Sequence, residues 1–199
     1  MDIPEDIFEN HFTQAFATIT LEGSQVVLEG LQESDSNPES VEALLVAIEE
    51  CKDFLAKHLP WIDGTDAADL KKRIRSWVLA EQLSQGGCWK ILEKCSNSLT
   101  GFIMLDVNLK NRSATVSYWL LKKYSGKGYM TESLKLLSLY TFSTLKLNRL
   151  EFFASVENAK SAAVASRCGF REEGICRDFE LKKGIFIDHR RFSKLARDL

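Results

Sequence analysis

At 199 residues the chain is long enough to bury a core without disulfide or metal staples. Its hydrophobic share of 45% and charged share of 27% are those of a soluble globular protein. No apolar run approaches the roughly 20 residues of a membrane-spanning helix, and a net charge of −2 offers no basic stripe for nucleic acid.

The opening residues Met1-Asp2-Ile3-Pro4-Glu5-Asp6 are acidic where a signal peptide would be basic and then apolar, so a cytoplasmic protein is expected. Residues 1–12 read as a loosely docked tail on one domain spanning 1–199. The five cysteines form no C-x-x-C pair and are odd in number, which predicts reduced thiols. The three histidines, His11, His58 and His189, lie too far apart for metal spacing, so no metal is expected.

Gly23-Ser24 predicts a turn between two short strands, the second over residues 26–31. A helix is predicted to start where Asn37 can cap and Pro38 suits the first helical position. Val41, Leu44, Leu45 and Ile48 then recur at helical spacing. Thr65 is the expected cap of a second helix with a stripe of Leu70, Ile74, Trp77 and Val78, which Gly86-Gly87 should end. Residues 88–95 and 99–107 read as paired strands, and 115–121 as the next, after a turn at Asn111-Arg112. A glycine-bearing loop leads into a helix over 130–145. The strand 150–156, a short helix 158–168 stopping at Gly169, and a hairpin of 170–181 and 185–192 complete the chain. The fold class is therefore α/β in the α+β sense, with a mixed, mostly antiparallel sheet. Only the unit over 115–156 reads as a parallel crossover through a helix.

The feature richest in chemistry is Ser125-Gly126-Lys127-Gly128-Tyr129-Met130, between a strand and a helix. Two glycines two residues apart let backbone N–H groups approach a ligand closely, and the helix start adds a positive end that suits phosphate. The loop lacks the Ser/Thr of a nucleoside-triphosphate loop and the third glycine of a dinucleotide fingerprint. By itself it is also compatible with an ordinary turn.

Its context is more specific. The stretches S-Y-W-L-L-K-K-Y-S-G-K-G-Y-M-T-E and L-N-R-L-E-F-F-A-S-V-E-N-A-K-S-A-A-V-A-S-R-C-G-F resemble the GCN5-related N-acetyltransferases, in particular their RimJ/RimL branch of ribosomal-protein N-acetyltransferases. Leu59-Pro60-Trp61, Gly101-Phe102-Ile103 and the segment from Glu172-Glu173-Gly174 to Lys183-Gly184 extend the resemblance over about residues 20–199. It implies a central sheet flanked by helices, whose splayed strand pair holds acetyl-CoA. The backbone of Ser125, Gly126, Lys127, Gly128, Tyr129 and Met130 should hold the coenzyme pyrophosphate. Trp119, Leu120 and Leu121 should face the pantetheine arm beside Phe153-Ala154-Ser155, and Asn158 should contact the coenzyme. Ser125 stands where the family usually has Gln or Arg, which removes a long donor but leaves the backbone contacts.

The resemblance also implies catalytic roles. Ser161 falls where a serine is thought to protonate the leaving thiolate, and Glu180 where a glutamate is thought to deprotonate the incoming ammonium. Ser161 can equally be a helix cap, and Asp178, Glu180 and Lys182 can equally be an exposed charged face. Trp61 could line the acceptor site, while Trp77, Trp89 and Trp119 read as core or pocket aromatics. The arginine common on the first strand of this branch is absent from Leu28-Glu29-Gly30-Leu31. The expected partners are acetyl-CoA and an amine, either a protein N-terminus or a small amine, without membrane or nucleic acid; a homodimer is compatible with the resemblance. The alternative is a non-catalytic acyl-CoA-binding sensor or interaction module.

Overall fold

Alternation of buried and half-exposed side chains builds the strands that frame the molecule. In the computed structural model, which describes residues 19–199, Val26 and Leu28 point inward while Val27 and Glu29 are partly exposed. The tail expected over residues 1–12 lies outside the described residues. The strands are β1 (Thr20–Glu22), β2 (Val26–Gly30), β3 (Gly86–Glu93), β4 (Ser98–Asn108), β5 (Ser113–Leu120), β6 (Arg149–Ser155), β7 (Arg171–Lys182) and β8 (Ile185–Leu195). They form one sheet in the order β1-β2-β3-β4-β5-β6-β8-β7. Every neighbouring pair is antiparallel except β5 and β6.

The four longer helices among the described residues are α1 (Pro38–Glu49), α2 (Ala67–Gln82), α3 (Tyr129–Ser143) and α4 (Ala159–Arg167), with one short turn of helix at Lys52–Leu55. Neighbouring residues of a strand point to opposite faces, so Phe102 and Ile103 mark the two sides. Trp77 of α2 meets Phe102 on one face, with ring centroids 6.0 Å apart. Tyr140 of α3 meets Trp89, the cross-strand partner of Ile103, on the other, at 6.1 Å. Covered on both sides, β3 and β4 bury Cys88, Trp89, Ile91, Phe102, Ile103 and Leu105. Among the described residues no helix is long and apolar enough to cross a membrane.

Local chemistry fixes the ends. Asn37 Oδ1 accepts the Ser40 N–H at 2.9 Å, and Pro38 fills the first position of α1. The cap of α2 is Asp66, not Thr65: Asp66 Oδ1 accepts the Asp69 N–H at 2.8 Å. The Thr65 hydroxyl instead donates to the Trp61 carbonyl and closes the preceding turn. Gly86 and Gly87 do not end α2, which stops at Gln82; they open β3, opposite Asp106 and Leu105. Glycine is needed there by close approach, because a Cβ on Gly86 would stand 2.2 Å from the Leu105 carbonyl oxygen. Lys183 and Gly184, at φ 49° and 81°, form the two-residue turn between β7 and β8. All five cysteines are free thiols.

Gly101 ties this packing to the functional half of the sheet. A Cβ there would lie 2.1 Å from the Trp119 carbonyl oxygen and 2.8 Å from Leu120 Cα. We expect Gly101→Ala to push β4 and β5 apart and lower stability by about 1–3 kcal/mol, the usual range for overpacking. Urea unfolding measures this; an unchanged midpoint would mean that the strands yield without cost.

Candidate functional site

The parallel pairing of β5 with β6 is short. It runs from Ser113↔Arg149 to Val116↔Phe152 and stops, although β5 continues to Leu120 and β6 to Ser155. Beyond that point each strand keeps only its outer neighbour: β5 stays on β4, and β6 stays on β8. The inner edges over residues 117–120 and 153–155 therefore face each other without a ladder. At the crotch, the Tyr118 ring lies parallel to Phe152 at 5.3 Å. On the opposite face Trp119 packs on Phe102 at 5.0 Å and meets Trp61 edge-on at 6.2 Å. Leu121 is buried and donates its N–H to Thr100 O. Such an opening suits an extended ligand that carries amide groups of its own.

The loop at the end of β5 has the backbone its glycines allow. Lys122–Tyr124 make a 3-10 turn, Ser125 is extended, and Gly126 and Gly128 take φ of 86° and 90°. Gly128 then caps α3, with no side-chain cap to compete for its first N–H groups. A Cβ at Gly126 would meet nothing within 4 Å, so it is the left-handed backbone conformation, not crowding, that favours glycine there. The N–H groups of Tyr129, Met130 and Thr131 lack intrahelical acceptors, as in any first turn. Tyr129 is anchored by donating its hydroxyl to Glu93, and Met130 is buried. Lys127 and Lys123 hold their ammonium groups 5.2 and 5.1 Å from the Tyr124 ring, beside the same turn.

One carboxylate could spoil this anion-receptive helix start. Glu132 stands in the first turn of α3, but its oxygens are taken by the β1–β2 turn. Ser24 Oγ donates to it at 2.7 Å and the Gln25 N–H at 3.0 Å. Burial alone would raise its pKa; the hydrogen bonds from Ser24 and the neighbouring backbone outweigh that and lower it.

On the other side of the opening, the cap of α4 is Asn158. Its Oδ1 accepts the Ser161 N–H at 3.1 Å, so Ser161 is not the cap and its hydroxyl is not spent on the helix end. Ser161 instead faces the Tyr118 hydroxyl. Burial pushes the Tyr118 phenol up to about 12, and the nearby serine partly offsets this. No well-formed hydrogen bond closes between them, and Tyr118 Oη is buried without a partner among the described residues.

Glu180 does not belong to an ordinary charged strand face. A register shift between Cys176 and Glu180, with Asp178 at φ 51°, interrupts the expected alternation of Asp178, Glu180 and Lys182. Asp178 N–H turns to Asp188 Oδ1 at 2.9 Å, while Glu180 Oε2 lies 3.1 Å from His189 Nε2. His189 is the cross-strand partner of Ser155, at the free end of β6. His58 joins the same neighbourhood: burial first, then Lys182 and Lys57, lower its pKa, and Glu157 and Glu180 raise it. Trp61 sits above with the Arg73 guanidinium 4.2 Å from its ring centre, lining an open depression of about 480 Å³ with Asp63, Thr65 and Asp69. Lys183 at the hairpin tip reaches Asp63 at 2.7 Å, linking the two sides of this mouth.

Tyr118, His58 and His189 were missed as site residues. A two-residue turn at Lys183-Gly184 sets Glu180 opposite Ile187, and so on the same face as residue 189, whereas the three-residue turn expected over 182–184 does not. Tyr118 gave no signal, since its burial depends on where the parallel ladder stops.

Residues 26–171 match the model of the "Acetyltransferase (GNAT) domain" family. A Bacillus subtilis protein named "Putative ribosomal N-acetyltransferase YdaF" is 41% identical over 102 residues, covering 51% of this chain and 56% of its own. The chain thus spans little more than half of that relative's length. The "Uncharacterized N-acetyltransferase p20" of Bacillus licheniformis is 32% identical over 142 residues, covering 70% of this chain and 77% of its own. Among solved structures, the microcin C7 self-immunity acetyltransferase MccE, in complex with acetyl-CoA and AMP, superposes with a TM-score of 0.78 at 23% identity. That superposition covers 87% of this chain and 93% of the other.

The Glu132 contact has a defined pH signature. A carboxylate whose folded pKa is depressed stabilises the fold above its unfolded pKa, and that contribution is lost as pH falls through the folded value. Glu132→Gln should therefore melt lower than the unmodified protein near neutral pH, with the gap closing as pH drops below the usual carboxylate value of about 4. Thermal melts across that range check it; a gap independent of pH would mean that the charge does not hold the turn.

Proposed function

Because the chain belongs to the acetyltransferase (GNAT) family, we propose that it carries the acetyl group of acetyl-CoA to a primary amine, the α-amine of a protein N-terminus. The observation that carries this reading is the opened strand pair, with a glycine turn and a helix start at one end and a serine and a glutamate at its mouth. The name of the Bacillus subtilis relative refers to a ribosomal N-acetyltransferase, and the MccE structure contains acetyl-CoA, which supports both donor and acceptor class.

Acetyl-CoA is the donor substrate. The backbone amides of Ser125, Gly126, Lys127, Gly128, Tyr129 and Met130 receive its pyrophosphate, with the positive end of α3 behind them. Lys123 and Lys127 add charge beside the turn and offset the missing long donor at Ser125. The pantetheine arm runs along the strand end Trp119, Leu120 and Leu121, whose open edge lies at Leu120 because the Leu121 N–H is bound to Thr100, and this places the thioester toward Asn158 and Ser161.

The reaction consumes an ammonium and a thioester and releases an amide, a thiol and one proton. Glu180 takes the first proton from the ammonium, directly or through a water, and passes it to solvent. The neutral nitrogen attacks the thioester carbon; the C–N bond forms, and the C–S electron pair leaves on sulfur. Ser161 donates its hydroxyl proton to that thiolate and is restored by the second proton shed from nitrogen. The open mouth at Trp61, His58 and the apolar hairpin tip, where Leu181, Ile185 and Phe186 are exposed, fits a peptide end better than an enclosed small amine.

Three variants test the assignment. Gly128→Val should abolish acetyl-CoA binding measured by calorimetry while the protein still folds; unchanged affinity would remove the loop from the site. Glu180→Gln should slow turnover by about 10²–10⁴-fold near neutral pH, the usual weight of a general base. That loss should shrink as pH rises and more amine is already neutral. Ser161→Ala should lower turnover without alkaline rescue, since its job is to donate. Near-normal turnover of Glu180→Gln at neutral pH would show that the proton goes elsewhere.

A further inference from the structure

The carboxylate of Glu180 has a built partner that the reaction above does not use. His189 is deeply packed, with its side chain only 12% exposed, and its Nε2 lies 3.1 Å from Glu180 Oε2. Its other nitrogen, Nδ1, is buried with no hydrogen-bond partner among the described residues. The ring lies tilted against Phe179 at 4.8 Å, and Phe179 stacks on Phe153 at 4.7 Å, so the imidazole is supported from the β6 side. The two-residue turn at Lys183-Gly184 sets Glu180 opposite Ile187, which puts it on the same face as His189.

These contacts determine which proton the ring carries. An ionised carboxylate only accepts, so Nε2 must bear the hydrogen that lies between the two groups. A second hydrogen on Nδ1 would be a buried donor with no acceptor, which is costly. His189 is thus arranged to donate from Nε2 to one oxygen of Glu180. The surrounding charged and titratable groups are Cys176 and Lys182 on β7, Arg191 further along β8, and Glu157 and His58 across the mouth. None of them offers Nδ1 a partner.

We infer that His189 is a positioning residue for the reaction: its Nε2–H holds Glu180 Oε2, so that Oε1 is the oxygen left to take the proton of the incoming ammonium. The inference rests on Glu180 being the base. The proton balance is unchanged by it, because His189 keeps its hydrogen throughout; only the orientation of the carboxylate is set.

The test uses the full chain with acetyl-CoA and an acetylatable peptide. His189→Phe keeps a ring on Phe179 but removes the donor, and His189→Gln restores an N–H at similar reach. We expect His189→Phe to lower kcat by about 10–100-fold, the weight of one hydrogen bond to a charged group, with the KM for acetyl-CoA unchanged. His189→Gln should recover most of that loss. A His189→Phe kcat equal to that of the unmodified protein, or equal losses in both variants, overturns the inference. Glu180→Gln is measured in parallel: if it collapses while His189→Phe does not, only the inference about His189 fails, and if Glu180→Gln is fully active, both fall. Nitrogen-15 NMR of the unmodified protein decides the point should His189→Phe not fold. A ring protonated on Nε2 alone is the expected result, and a ring protonated on Nδ1 overturns it.

Discussion

The functional half of this molecule depends on one interruption of hydrogen bonding. A parallel ladder between β5 and β6 closes four residue pairs and then ends, while both strands run on, each supported from outside by β4 or β8. Edge backbone groups without partners are normally a liability, because they invite another strand. Here they are enclosed by two aromatic clusters, Tyr118 on Phe152 to one side and Trp119 on Phe102 to the other. The sheet thereby keeps a slot that a ligand with its own amides can complete, at no cost to the rest of the fold.

Everything needed around that slot is reached by short connections from its two strands. The chain leaves β5 through a 3-10 turn and two left-handed glycines into α3, so the start of a long helix opens at the slot. It leaves β6 through Asn158 into α4, which sets Ser161 on the other flank. Electrostatic housekeeping follows the same plan. The one acidic side chain in the first turn of α3 is drawn off by the β1–β2 turn, and the lysines remain near the glycine loop. At the opposite end, Arg149 and Arg191 share Glu151 and Glu173, binding β6, β7 and β8 into a firm support for the Glu180 hairpin.

Much of this was legible in the sequence because local rules governed it. Asn37-Pro38, the 3.6-residue stripes of α1 and α2 and the apolar β6 segment each carry their own signal, and each formed as expected, while the hairpin turn expected over 182–184 closes on Lys183 and Gly184, with Lys182 paired to Ile185. The glycine loop was placed by its strand and helix neighbours. What could not be read locally was settled by tertiary contact. Thr65 and Asp66 are both competent caps, and the Trp61 carbonyl decided between them by taking the threonine. Gly86 looked like a helix stop, yet it is a glycine because β4 presses against it. The shift between Cys176 and Glu180 that sets Cys176 opposite His189 needs both strands of the hairpin, and no single segment announces it.

The central claim is that the opened strand pair holds acetyl-CoA so that Glu180 and Ser161 can complete a transfer to an amine. The most direct measurement is mass spectrometry of a mixture of N-terminal peptides, polyamines and amino acids after incubation with acetyl-CoA and the protein, with free thiol followed alongside. The account predicts that acetylated peptide α-amines appear in step with released coenzyme A thiol, ahead of any polyamine product. Tight binding of acetyl-CoA with neither acetylated amine nor thiol released would contradict it, and would leave an acyl-CoA sensor in place of an enzyme.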